Sequence, residues 1–494
     1  MLFNYDDRDE QSILQYAKQL EGKTFKDIQE EYNQSSVKYY VNPNDKHSRV
    51  AESTTEYSVN SNAKGQLGNF LERYYFGYMP NGEQEADFSN TGIELKQTCV
   101  DKKKNGQLTA GERLSITNIS YNEPVEDDFY KSHVWNKIRL ILLIHYLRDR
   151  TIDRMDYQIL FANLFTPTQE DLKIIIEDYN KINEKIKAGK AHELSESDTL
   201  YLGACTKGAT AAKSTRPQFY GDHTLARKRN FCFKRQYMDY VLHHYVLKHD
   251  VPYESIIANS REYIHSFEEY VLNCINRNIG TTDEQLCALF NREYNNNKAQ
   301  WIDLAYRMLG IKNSKAEEFV KANIVVKTIR IEENGKNKES ISLPPFRFMD
   351  LMNQTWENSD FYEYFETTRF LFVVYKKEKD RYVLKGAKMW NMPYEDLNIT
   401  CKEGWERIQK VIKDGVILTP KKSGKKIIYL NNLPKKADNP IMHIRPHAQK
   451  AAFKLKDGTI VGNLTNANEL PDGQWMTTQS FWLNNDYILS QISK

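Results

Sequence analysis

The chain has 494 residues, of which 40% are hydrophobic and 12% aromatic, including 31 tyrosines. This is the composition of folded globular protein rather than of a disordered chain, and the length calls for two or three domains, each able to bury a core. Lys and Arg outnumber Asp and Glu by only three, so there is no bulk basic charge to attract a polyanion, and any nucleic-acid footprint has to be local.

The six cysteines (Cys99, Cys205, Cys232, Cys274, Cys287 and Cys401) include no C-x-x-C pair, and the N-terminus does not read as a signal peptide. Reduced thiols in a cytoplasmic protein are therefore expected. The most apolar runs, 138–147 and 370–375, contain or abut Arg, His and Lys and are far too short to span a bilayer, so no membrane partner is expected.

In chain order, residues 1–33 place apolar side chains at helical spacing (Ile13, Leu14, Tyr16, Ala17, Leu20, then Phe25 and Ile28), which predicts two short helices. The polar stretch 42–62 reads as a loop. Residues 64–77, Lys64-Gly65-Gln66-Leu67-Gly68 through Glu72 to Gly77, read as a helix with a glycine-flanked entry and a glycine stop. Asp87-Phe88-Ser89-Asn90-Thr91-Gly92-Ile93-Glu94-Leu95-Lys96 follows. Here Ile93 and Leu95 alternate with Glu94 and Lys96, the two-residue period of a half-buried strand, so Glu94 and Lys96 share a face. The Ser-Asn-Thr-Gly turn can fold Asp87 back beside them. Two carboxylates and an ammonium in one place can hold a divalent cation, position a water and steady a phosphate.

Asn105-Gly106 separates this strand from the next strand-like segment, 113–119, and signals a hairpin. Residues 138–145 read as a buried strand, and 171–188 as an amphipathic helix stopped by Gly189.

Much of this order then recurs. Arg139 with its apolar run, Pro167, Glu170-Asp171-Leu172 and Ile182 to Gly189 are matched by Arg369 with its apolar run, Pro393, Glu395-Asp396-Leu397 and Ile408 to Gly415. Residues 93–98 parallel 324–328, and 201–209 parallel 442–448. The expected fold class is α/β, as two tandem copies of one domain with a mixed sheet flanked by helices. A first domain spans 1–236, a helical connector 237–290 and a second domain 291–494. Aligning the strands sets Val325 against Glu94 and Lys327 against Lys96, and aligning the helix ends at Gly77 and Gly310 sets Ala305 against Glu72. The second copy thus lacks the acids and is catalytically degenerate.

As a bare pattern, an Asp followed by Glu-x-Lys is weak. Charged residues make up 27% of the chain, and Glu21-x-Lys23 fits part of it by chance. Strand alternation, the neighbouring Glu72 and the loss of the same acids in a repeated segment strengthen it. No H-E-x-x-H or P-loop spacing occurs, and the adjacent His243 and His244 read as packing and surface residues. The basic runs at 227–229, 234–235 and 421–426 can touch phosphates or lie in solvated loops; the sequence leaves both open.

Lys64-Gly65-x-x-Gly68 with Glu72, and Asp87 with Glu94-Leu95-Lys96, resemble the motif set of the mismatch-repair nicking endonuclease MutH. The two-copy organisation, with Lys190-Ala-His-Glu-Leu-Ser-Glu and Tyr201 to Ala209, is more similar to the MutH-like type II restriction endonucleases of the staphylococcal GATC-cutting kind, over nearly the whole chain. The resemblance implies a PD-(D/E)xK restriction-endonuclease-like fold in both copies, dependence on Mg²⁺ and cleavage of double-stranded DNA containing GATC. It casts Asp87 and Glu94 as metal ligands, Lys96 as the residue that orients water and stabilises the phosphate, and Glu72 as an auxiliary carboxylate. Lys64, Gly65, Lys207, Gly208, Arg445 and His447 become DNA contacts, either reading bases or holding phosphates. One departure is Ala86, where the family's name has proline.

The expected activity is that of a type II restriction endonuclease in which the first copy cuts and the second binds DNA and controls cutting. A palindromic site calls for two matched binding units, so a transient homodimer on DNA, or looping between sites, follows. A mismatch-repair-type nickase and a catalytically inactive DNA-binding regulator are the alternatives.

Overall fold

The alternating stretch around Glu94 is a strand at the centre of a four-stranded mixed sheet. A computed structural model describes residues 5–34, 39–41, 49–51, 66–78, 85–206, 214–249, 253–257, 266–295, 297–312, 315–337, 339–423, 426–448 and 450–493. They divide into two compact units, Met1–Tyr253 with Glu317–Asn323, and Glu254–Ala316 with Ile324–Lys494.

In the first unit, the strand Glu94–Lys102 pairs antiparallel with Leu108–Ala110 and parallel with Ile141–Leu147, which in turn pairs antiparallel with Ile159–Phe165. The Asn105-Gly106 turn closes the first of these pairs, with Gly106 N–H donating to Lys103 O at 2.8 Å. The later segment Leu114–Asn118 leaves this sheet and pairs with Arg229–Phe233, which also pairs with Leu202–Thr206. One face of the mixed sheet, through Ile93, Leu95, Leu142 and Ile144, packs in a core with Ile13, Ala17, Leu20, Phe25, Ile28, Phe70 and Leu71. All of these but Leu20, which lies in the turn after the first, come from the three amphipathic helices Glu10–Lys18, Phe25–Gln34 and Gln66–Tyr74. Gly77, at φ +73°, follows the third helix, as a glycine stop should. Most of the expected 42–62 loop lies outside the described residues; Arg49–Ala51 within it is a strand paired with Tyr39–Val41.

The expected strand at 138–145 begins later. Residues His133–Ile138 form a helix capped by the Ser132 side chain, and the strand runs Ile141–Leu147. Ile138 and Ile141 to Ile144 are all buried, so the apolar run has no period that separates helix from strand.

The long helix Gln169–Lys187 is capped by Thr168 and fastened to the second sheet through Asp178, whose carboxylate accepts the N–H groups of Leu200, Tyr201 and Leu202 at 2.6–2.9 Å. At its first turn, Asp171 accepts from Lys321 Nζ at 2.7 Å and from the Tyr237 hydroxyl at 3.0 Å. Lys321 lies on the short helix Glu317–Ala322, pairs also with Glu317 at 2.7 Å and sits 4.2 Å over the Tyr240 ring.

In the second unit, Ile324–Ile331 pairs parallel with Arg369–Glu378, which pairs antiparallel with Arg381–Trp390. A further sheet has the order Ile341–Phe346, Gln479–Leu483, Met442–Pro446. The first unit's three-stranded sheet has the corresponding order, with the last strand in the middle. Glu94 stands opposite Ile141, and Val325 opposite Phe370. Setting Glu94 against Val325 therefore sets Arg369 against Leu140, one place on from the Arg139 of the sequence match. A two-stranded ribbon, Leu418–Ser423 with Lys426–Asn431, follows the helix Lys402–Asp414. The six cysteines are buried free thiols. Among the described residues no helix is long and apolar enough to cross a membrane.

Candidate active site

The turn from Asp87 to Ile93 is closed by backbone hydrogen bonds, Phe88 N–H to Ile93 O at 2.9 Å and Gly92 N–H to Phe88 O at 2.7 Å. Phe88 and Ile93 are both buried and anchor the turn's two legs in the first unit's core. Gly92 adopts φ +76°, and a Cβ built there would lie 1.8 Å from Arg139 Nη2. The positive φ favours glycine at this point, whereas the clash is only with the movable end of the Arg139 side chain.

The turn sets Asp87 beside the start of the strand. Asp87 N–H donates to Glu94 Oε2 at 3.3 Å, and its own Oδ2 accepts from Leu95 N–H at 2.8 Å. Glu94 is 2% exposed. Lys96, two residues along the same face, donates from Nζ to Glu94 Oε1 at 2.6 Å.

The sequence reading missed a second lysine. Lys137 Nζ donates to Glu94 Oε2 at 2.9 Å and to the Glu85 carbonyl at 2.5 Å. It is brought there by the helix His133–Ile138 and by the Glu94 N–H bond to Leu140 O at 3.0 Å, which fixes where the parallel strand begins. The one signal that could have found it is a capped helical turn, Ser132 to Lys137, just ahead of the strand that pairs with Glu94.

Glu72, on the helix Gln66–Tyr74, completes the group. Burial, and next the charge of Asp87, push its carboxyl up to about 8. Burial, and next the Glu94 carboxylate, push Asp87 up to about 7. These shifts are the mark of acids buried away from water with like charges beside them. Such acids are functional-site candidates when they gather in one place.

The donors are carboxylate oxygens, which suit a hard divalent cation better than a zinc-like one. Among the described residues no three His, Cys, Asp or Glu side chains converge to enclose an ion by themselves. The oxygens of Glu94 are instead taken by the two lysines. A cation would take the place of an ammonium at Glu94, and its charge would relieve what raises Asp87 and Glu72. In donor chemistry and charge the residues fit a divalent metal.

Of the expected DNA contacts, Lys64, Gly65, Lys207 and Gly208 lie outside the described residues. Arg445 and His447 stand two residues apart at the end of the strand Met442–Pro446. The Arg445 guanidinium lies 3.7 Å over the Trp482 ring, and His447 Nδ1 is 2.8 Å from Ser480 Oγ. Both are exposed, and cross-strand neighbours hold both in place.

The family model described as the DNA mismatch repair enzyme MutH matches residues 76–178 and, separately, 309–402. The chain is 34% identical over 458 residues to the type II restriction enzyme Sau3AI of Staphylococcus aureus, an alignment covering 87% of this chain and 92% of that enzyme. It is also 28% identical over 159 residues to the mismatch repair protein MutH of Shewanella woodyi, covering 31% of this chain and 64% of that protein. With MutH of Shigella boydii it shares 26% identity over 180 residues, 36% of this chain and 76% of that one.

Proposed function

The chain belongs to the MutH-related type II restriction endonucleases, and from that premise we propose that it makes Mg²⁺-dependent double-strand cuts in DNA at GATC. The observation that carries the reading is the cluster itself: Asp87, Glu94 and Lys96 gathered by one turn and one strand, with Glu72 alongside.

In this reading Asp87 and Glu94 hold the cation, which when bound supplies an acidified water and offsets charge on the phosphate. Lys137 pins Glu94 in place. Lys96 gives up Glu94 Oε1, orients the attacking water and stabilises the phosphate oxygens. Glu72, whose carboxyl burial pushes up to about 8, takes up the proton that the water loses.

The second unit is read as a duplicate without the chemistry. Three things support this: the shared strand orders, the separate family match to 309–402, and what stands on the corresponding strand. There Val325 and Lys327 lie opposite Phe370 and Phe372, which pack with Trp390, and burial holds the Lys327 ammonium below the usual lysine range. This unit binds DNA through Arg445 and His447, and through Lys421 and Lys422 on the exposed ribbon. The first unit's DNA contacts are Lys64, Gly65, Lys207 and Gly208. The proposed roles are 1–236 catalytic, 237–290 connecting and 291–494 regulatory, with Glu317–Asn323 of the last range packed in the first unit. Two chains pair transiently on a GATC site, and the protein works in a cytoplasm, where its thiols stay reduced.

The test is cleavage of unmethylated GATC plasmid with and without Mg²⁺, beside a Glu94→Ala chain. Double-strand cuts at GATC that vanish without Mg²⁺ and in the variant are expected. Single-strand nicks alone would point to a mismatch-repair-type enzyme, and DNA retention without cutting to an inactive regulator; either result overturns the reading.

A further inference from the structure

One buried hydroxyl beside the carboxylate cluster has no partner. Tyr78 follows the helix that carries Glu72, and its N–H donates to Glu72 O at 3.0 Å. Its ring meets Phe88 edge-on at 5.4 Å between centroids. The two contacts hold the side chain between Glu72 and the residue next to Asp87. The hydroxyl is shielded from solvent and makes no hydrogen bond among the described residues.

Other tyrosines of the same core behave differently. Tyr5 donates to Phe76 O at 2.9 Å, and Tyr75 to Tyr16 O at 2.7 Å. A buried hydroxyl without a partner destabilises the fold, and phenylalanine would keep the ring against Phe88 without that cost. Burial first, and then the charges of Asp87 and Glu72, push the phenol well above its ordinary range, so it stays an O–H group at any working pH. No carboxylate oxygen reaches it directly. The group that suits this position both accepts from and donates to its neighbours, as a water molecule does.

We propose that Tyr78 is a positioning residue of the metal centre, its hydroxyl fixing a water bound to the divalent cation that Asp87 and Glu94 hold, with Glu72 on the same water. The inference rests on the divalent-metal reading of that cluster and adds to it a residue that contributes no charge. Groups in this outer position orient the ligands, and losing one costs about 10- to 100-fold in metal affinity.

The experiment titrates Mn²⁺ into the DNA-free full-length chain at pH 8 and reads free Mn²⁺ by electron paramagnetic resonance, for the native protein, Tyr78→Phe and Glu94→Ala. Tyr78→Phe is expected to bind Mn²⁺ about ten-fold more weakly or worse, with an unchanged or raised melting temperature in the absence of metal. Native affinity for Mn²⁺ in Tyr78→Phe overturns the proposal. So does a fall in its metal-free melting temperature, which would make the hydroxyl a structural group. If the native chain takes up no Mn²⁺, the metal reading itself fails and the proposal falls with it. Loss of binding in Glu94→Ala but not in Tyr78→Phe keeps the metal reading and removes only the tyrosine.

Discussion

Asp87 and Glu72 retain their protons up to about pH 7 and 8 in the folded chain, against about 4 in an unfolded one. Between those limits the folded state binds more protons than the unfolded state. The metal-free protein therefore loses stability as pH rises from about 4 to 8 and levels off above that. A cation at the proposed site would bind the ionised carboxylates and so oppose this loss. Thermal melts from pH 5 to 9, with and without Mg²⁺, should show a metal-free melting temperature that falls with pH and a metal-induced gain that grows with it. A gain of equal size at pH 5 and pH 9 would contradict the site. At this scale the sequence disclosed what lies close in the chain. Glu94 and Lys96 are two residues apart on one strand face, and Asp87 returns across a short turn. Lys137 meets Glu94 across 43 residues of separation, and the sequence marks it only by the capped helical turn that carries it.

The helix Glu317–Ala322 shows what such local patterns leave out. Its six residues read as an ordinary amphipathic turn, and nothing in them says which unit takes it. In the folded chain it belongs to the first unit, where Lys321 is buried against Asp171 and Glu317. Removing one partner of a buried pair leaves the other charged and unsolvated. Lys321→Ala should cost about 3–5 kcal/mol in the unfolding of the first unit, read by urea denaturation. Lys321→Met combined with Asp171→Asn should recover most of it. If the double variant is no better than the single one, the charge pair is not what holds this helix. The longer elements were legible because each has a period or a stop of its own. The helix Gln169–Lys187 shows its apolar stripe and ends before Gly189, and the Asn105-Gly106 turn announces its hairpin. The apolar run 138–145 has no polar face to mark its phase, so the helix at its beginning went unread.

Across the whole molecule, the sequence shows the same landmarks returning in the same order, from Arg139 to Gly189 and again from Arg369 to Gly415. The small shift in register between Arg139 and Arg369 needed the strand pairing to be seen. The proposal that both units bind DNA leads to a prediction about substrates. A plasmid with two GATC sites should be cut about ten-fold faster or more than one with a single site, because the second unit holds the first at a high effective concentration. A GATC duplex added in trans should speed cutting of the single-site plasmid. Equal rates on both plasmids would leave the second unit without a role in cutting.

The placing of residues 317–323 in the first unit also bears on how the chain is made. A ribosome that has released Tyr253 has released every described member of the carboxylate cluster, but not the helix that covers Asp171. Residues 254–316 must be synthesised first, several seconds of work at about 5–20 residues per second. Through that interval the first unit waits with an acid in its core that has yet to meet its lysine, and its assembly finishes only when the second unit is under way.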